Sequence, residues 1–411
     1  MTLRILHTAD WHLGQTLQGF PRDNEHAAAL DQLVEIARDH AVDALILAGD
    51  VFDRETPPPR AETLFYTTMM RLRADNPRLT IVITAGNHDS AGRIEAPRPL
   101  YDSLAIHAAG HVARRDGVVD MARHLVALPD AGGVVRAHVL ALPYPRPSDL
   151  PGYGAASEEP GSPVVREVRK LYAEAVALAR AIVGDAPLIA TGHLNVKGGE
   201  ASEGAERAIL VGGEHEVPDD IFDASLAYVA LGHLHKPQSA GRPNVRYCGS
   251  LFPLSATEMP YRHGVTLLSV EDGQATFQHI PIARPVPFLR VPAKGALPPG
   301  EVAQALAALA LDPAMPRENR PFVQLALKLD GPAPGLKAEL DRIAETFPVR
   351  LVGHVVLRPG LAEGETEAPE NAPGLAARDP ADLFRAAFAE THSAAPDHRH
   401  LHIFHSARNE S

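Results

Sequence analysis

The sequence predicts an α/β fold in which mixed sheets are sandwiched by helices. Three observations carry this. Short apolar runs alternate with amphipathic segments through the first half, in the order β-α-β-α-β. Further apolar strands follow another long helix. After Ile282 the composition changes, and Pro285 and Pro287 open a smaller α+β segment.

Leu3-Arg4-Ile5-Leu6 reads as the first strand. Glu25 to His40 reads as a helix, because Ala29, Leu33, Ile36 and Ala37 recur on one face. Ala44 to Leu47 is a buried strand. Arg60 to Ala74 is a helix entered through Pro57-Pro58-Pro59, and Leu79 to Thr84 is a third strand. Val164 to Val183 is a long helix. Leu188 to Ala190 and Leu226 to Leu231 are buried strands. Tyr247-Cys248, Val265 to Val270 and Ala275 to Ile280 complete the series, with Glu271-Asp272-Gly273 as a hairpin turn. The first domain therefore spans residues 1–282. Residues 283–358 read strand, helix, strand, helix, strand, the size of a small domain. Residues 359–380, rich in Pro, Gly, Ala and Glu, read as a flexible linker. In residues 381–411, Leu383, Phe384, Ala387 and Phe388, then Leu401, Ile403 and Phe404, mark two short amphipathic helices, a docking element for a partner.

Composition narrows the function. The 411-residue chain is 45% apolar and 22% charged, an ordinary globular balance. It has no run of about 18 apolar residues, so no membrane span is expected, and the N-terminus lacks a signal-peptide pattern. One cysteine, Cys248, excludes an internal disulfide framework and fits the cytosol. It reads as a small buried filler. The net charge of −12 argues against a nucleic-acid binder. Part of that excess is local, at Glu363, Glu365, Glu367 and Glu370, and metal-binding carboxylates would be neutralised by their ions.

Five motifs sit at strand ends: Asp10-Trp11-His12, Gly49-Asp50, Gly86-Asn87-His88-Asp89, Gly192-His193 and Gly232-His233-Leu234-His235. In α/β sheets, ligand sites form beyond the carboxyl ends of strands. Carboxylate, amide oxygen and imidazole together suit Mn²⁺, Fe²⁺ or Zn²⁺. The glycines permit sharp turns and close approach. Asp50, at a buried strand end, is the natural carboxylate to bridge two cations. Such a pair activates water and neutralises charge on a phosphoryl group. His88, beside Asn87, can act as general acid, with Asp53 to orient it and Asp89 as a rival for that role. Each residue alone has a bland reading as turn or helix cap. All five in order point to a dinuclear phosphoesterase. Among other histidines, His7 reads as structural, and His26 and His40 as surface or partly buried. His398, His400, His402 and His405 read as a helix surface. Trp11 packs under the first ligand loop. Arg22, Arg54, Arg93 and Lys197 lie near motif loops and are candidates for phosphate contact.

These motifs resemble those of the calcineurin-like metallophosphoesterases. With Thr8-Ala9-Asp10-Trp11-His12-Leu13-Gly14, Gly49-Asp50-Val51-Phe52-Asp53, His235-Lys236-Pro237-Gln238 and Tyr247-Cys248-Gly249-Ser250, they are similar to the double-strand-break repair nucleases of that family. The resemblance implies a four-layer αββα sandwich with a capping domain. It implies one metal on Asp10, His12, Asp50 and His235, another on Asp50, Asn87, His193 and His233, and a catalytic His88, with Mn²⁺ as activator. It implies a dimer built on Arg60 to Ala74 and Ile94 to Leu104. It implies a long coiled-coil ATPase of the ABC type as partner, binding ATP itself and gripped by the C-terminal helices. The activities implied are exonuclease on double-stranded DNA and endonuclease on hairpins and single strands. The alternatives are a phosphatase or cyclic-nucleotide phosphodiesterase sharing the metal chemistry, and a non-catalytic scaffold.

Overall fold

The computed structural model describes residues 2–152, 162–202, 216–329, 333 and 335–357. The expected linker and C-terminal helices lie outside the described residues, as do the four histidines from His398 to His405.

Strand β1 (Leu3–Thr8) leads through helix α1 (Asp23–Asp39) to β2 (Ala44–Ala48), then through α2 (Pro59–Asp75) to β3 (Thr80–Thr84) and β4 (Ile106–Ala109). These four strands run parallel. Next come β5 (Leu125–Pro129), β6 (Val135–Leu140), α3 (Pro163–Val183), β7 (Leu188–His193), β8 (Tyr228–Gly232), β9 (Gln238–Ala240) and β10 (Arg242–Tyr247). The hairpin β11 (Gly264–Glu271) and β12 (Gln274–Pro281) returns to the first sheet, turning at Asp272 and Gly273, both at positive φ. The sheet orders are β12-β11-β1-β2-β3-β4 and β9-β10-β8-β7-β6-β5.

The alternation of side chains sorts these strands between cores. Leu45, Leu47, Ile81 and Ile83 pack with Leu33 of α1 and Phe65 and Met69 of α2. Ile46 and Val82 point the other way and meet Val139 and Ile189 of the second sheet. Leu188 and Ala190 then pack with Leu171 and Ala175 of α3. Buried on both faces, β2 and the centre of β3 read as continuous apolar runs rather than alternating ones, whereas Arg4 and His7 interrupt β1. The layers are helix, sheet, sheet, helix.

A third sheet follows, with parallel strands β13 (Phe288–Val291), β14 (Phe322–Lys328) and β15 (Arg350–Leu357) in that order. Helices α4 (Val302–Ala307) and α5 (Leu336–Ala344) cover it, with Val302, Leu306 and Leu340 in its core. The helix expected over 300–311 is shorter, and Ala310 at φ 48° leaves the right-handed region. Phe288, Phe322 and Val352 pack against Leu17 and Phe20 of the first half. Residues 1–357 form one compact unit. No helix among the described residues is long and apolar enough to cross a membrane.

Candidate metal centre

The loops after β1 and β2 run side by side. Asp10 N donates to Gly49 O at 3.1 Å and His12 N to Asp50 O at 3.0 Å. This pairing holds Asp10, His12 and Asp50 at φ 53°, 46° and 48°, and His233 stands at 103°. Four non-glycine residues in a disfavoured region within one site is stored strain, tolerated where surrounding contacts over-determine it. Gly49 also turns, at φ 91°. Gly86 and Gly232 do not. They are glycines because a Cβ on Gly86 would overlap Asp50, and one on Gly232 would overlap the Ala48 carbonyl. The loops could not nest otherwise.

Side chains from both sheets meet in this nest. Asp50 Oδ1 accepts from His88 N at 2.9 Å. Its Oδ2 lies 3.5 Å from His12 Nε2 and 3.2 Å from His193 Nε2, so one oxygen faces both imidazoles. Asp10 Oδ1 accepts from His233 N at 2.9 Å, while Asp10 Oδ2 and His12 Nε2 are buried with no hydrogen-bond partner among the described residues. His193 Nδ1 lies 3.0 Å from the Ala48 carbonyl and so carries a proton there. Its Nε2 faces Asn87 Oδ1 at 2.9 Å. Lone pairs converging like this require a proton or a cation between them.

The electrostatics agree. Burial pushes the Asp10 carboxyl up to about 7, against the opposing pull of His193 and His235. Burial would also raise Asp50 and lower His193. Their mutual attraction outweighs it, holding Asp50 well below the carboxylate range and His193 up at about 9. Burial keeps His233 well below the usual imidazole value. Orphaned buried oxygen and nitrogen atoms and a mixed oxygen–imidazole donor set fit a divalent cation. Three groups have donor atoms within 4.8 Å of one another: Asp10, His12 and His235; Asp10, Asp50 and His193; and His12, Asp50 and His88. His233 sits beside His193, with ring centroids 5.4 Å apart.

Several sequence expectations change. Asp53 does not hold His88 through its carboxylate. The His88 Nδ1 contact, at 2.8 Å, is to the Asp53 backbone carbonyl, while the carboxylate lies 3.6 Å from His12 Nδ1. Asp89 does not orient His88 either. It accepts from Gly86 N, Val51 N and Phe52 N, tying two motif loops together. Arg22 is buried, paired with Glu25 at 2.8 Å and stacked over Phe252, so it cannot meet a phosphate. Arg93 pairs with Glu62 at 2.8 Å. Arg54 and Lys197 are exposed. His26 is fully buried, its Nε2 lying 2.9 Å from the Trp11 carbonyl. Trp11 is buried under its loop, donating to Thr8 Oγ1 at 2.8 Å.

Two residues that contact the site's side chains or loops were not singled out from the sequence. Glu258 is fully buried, and its Oε1 lies 2.9 Å from His235 Nδ1, which fixes the orientation of that ring. Arg146 binds the main chain around Asn87 and His88.

The sandwich and its divalent metal site define a calcineurin-like phosphoesterase. Residues 3–237 match the calcineurin-like phosphoesterase family, and residues 284–392 match the type 5 capsule protein repressor C-terminal domain. The chain is 49% identical to the SbcD subunit of nuclease SbcCD from Rhodobacter capsulatus, over 94% of each chain. It is 36% identical to SbcD of Bacillus subtilis, over 70% of this chain and 72% of that one. Identity to SbcD of Escherichia coli K12 is 32%, over 85% and 84%. The chain belongs to the SbcD family of nuclease subunits.

Proposed function

We propose that this chain is a two-metal DNA nuclease, with exonuclease activity on double-stranded ends and endonuclease activity on hairpins and single strands. The observation that carries the two-metal reading is Asp50 Oδ2, placed between His12 and His193 with the orphaned Asp10 Oδ2 nearby. Asp10, His12, Asp50 and His235 would hold one ion, and Asp50, Asn87, His193 and His233 the other, with Mn²⁺ as activator. When bound, the ions would lower the pKa of a water and offset charge developing on the phosphate. The protein supplies the rest. Asp50 is fixed through the His88 amide, so its free oxygen stays aimed at the site. His193 and His235 are oriented by Ala48 O and Glu258. His88 donates Nδ1–H to the Asp53 carbonyl, so as a doubly protonated imidazolium it would pass its Nε2 proton to the leaving oxygen and be left neutral.

The relatives' names describe one subunit of the SbcCD complex. On that ground the partner would be an SbcC-like coiled-coil ABC ATPase, which would bind ATP, engaged through residues 381–411, with residues 283–358 as a capping domain. The assembly would be a heterotetramer around a homodimer of this chain, acting in the cytosol in DNA repair and recombination. The test is turnover of linear duplex DNA and of a simple phosphodiester with Mn²⁺. Cleavage of DNA supports the proposal. Robust turnover of the simple diester alone would replace it with a small-substrate phosphodiesterase.

A further inference from the structure

The segment Gly86 to Asp89 carries both Asn87 and His88, and it is held from two sides. From the first half of the sandwich, Asp89 binds three main-chain amides and Asp50 binds the His88 amide. From the second half comes Arg146. Its Nη2 donates to Gly86 O at 3.1 Å and to Asp89 O at 2.7 Å, the carbonyls on either side of Asn87-His88. Its Nη1 donates to Gly110 O at 3.3 Å. The guanidinium lies 5.5 Å from the Tyr144 ring centroid, and Tyr144 N donates to Ala85 O at 2.8 Å. The Arg146 amide is fixed by the buried Asp149 at 3.1 Å. The anchor is thus rigid at its base and forked at its tip.

We propose that Arg146 is a positioning residue that sets the main chain on both sides of His88, so that the imidazole meets the leaving oxygen. The proposal rests on the reading of His88 as general acid. The planar guanidinium reaches three carbonyls at once, Gly86 O and Asp89 O through Nη2 and Gly110 O through Nη1, a fixed two-nitrogen geometry that a lysine ammonium lacks. A displacement of about 1 Å at a reacting group can cost on the order of 100-fold in rate.

The test uses the full-length Mn²⁺-loaded chain with R146A, R146K, H88Q and the double variant R146A/H88Q. Substrates are duplex DNA and bis(p-nitrophenyl) phosphate, whose leaving group departs without protonation. R146A should lower kcat on DNA by roughly 10–100-fold, and on the nitrophenyl diester by less than about 3-fold. Calorimetric Mn²⁺ binding by R146A should weaken by less than about 10-fold, since the same segment carries the proposed ligand Asn87 while the other proposed ligands are held elsewhere. R146K, which keeps the charge and fold, should fall between wild type and R146A. The double variant should be no slower than H88Q, because both act on one group. Equal losses on the two substrates, a loss of Mn²⁺ affinity beyond about 10-fold, additive losses in the double variant, or unchanged activity would each overturn the assignment of Arg146 while leaving His88 in place. H88Q cleaving DNA at the wild-type rate would overturn the acid reading and the proposal resting on it.

Discussion

His88 Nδ1 lies 2.8 Å from the backbone carbonyl of Asp53, not from its carboxylate. A side-chain change at Asp53 therefore leaves the orientation of His88 intact and acts on His12 instead, 3.6 Å away. H88Q should lower DNA cleavage by about 100-fold or more with metal content unchanged, as removal of a general acid does. D53N should instead weaken Mn²⁺ binding by roughly 10-fold, as loss of a carboxylate behind a ligating histidine does. Calorimetry and rate measurements on both variants separate the roles. Loss of metal in H88Q would mean that His88 is itself a ligand.

Glu258 and His235 make a second such pair, at 2.9 Å and fully out of water. Glu258 also accepts from Leu254 N at 2.9 Å, which fixes its own position. E258Q should cost about 10–100-fold in metal affinity. A titration of Mn²⁺ into the variant reads this directly, and an unchanged affinity would reduce Glu258 to a packing role.

Burial holds His7 and His26 down at about 3, against an ordinary value of 6.5. The unfolded chain therefore binds more protons than the folded one between those limits. Their contribution is fully present above 6.5 and is lost as the pH falls toward 3, at up to about 1.4 kcal/mol per pH unit for each group. The melting temperature of the metal-free protein should fall from pH 7.5 to pH 5. In H26Q that fall should be shallower. An identical slope in the variant would show that His26 does not contribute.

On one side of the fold α2 exposes Tyr66 and Met70, and Leu100 is exposed after β3. Lone exposed apolar residues are ordinary, but these fall on the helices where the dimer is proposed. M70E and L100E should shift the chain from dimer to monomer in light scattering at micromolar concentration. A wild type that is monomeric throughout would remove the dimer.

The residues proposed to hold metal were legible because such chemistry restricts residue types and the fold restricts their places to strand ends. The long helix α3 was legible from its periodicity. Glu258 and Arg146 were not, because each acts through tertiary contact, Glu258 on His235 23 positions away and Arg146 on Gly86 60 positions away. Strands β4, β5 and β6 escaped notice because their β-formers are few and separated by residues such as Ala, His and Arg, as in Ile106-His107-Ala108-Ala109 and Val135-Arg136-Ala137-His138-Val139-Leu140. Arg22 misled for the converse reason, since nearness to a motif loop in sequence says nothing of exposure. The glycines were assigned to sharp turns and close approach, and Gly86 and Gly232 serve the second, against Asp50 and the Ala48 carbonyl.

At the centre of the proposed chemistry, Asp50 Oδ2 would serve two ions at once. Anomalous diffraction from crystals of the Mn²⁺-loaded chain tests this most directly. Two peaks about 3.5–4 Å apart on either side of Asp50, one toward His12 and His235 and the other toward His193 and Asn87, are the predicted result. One peak alone, or two that do not share Asp50, would contradict it.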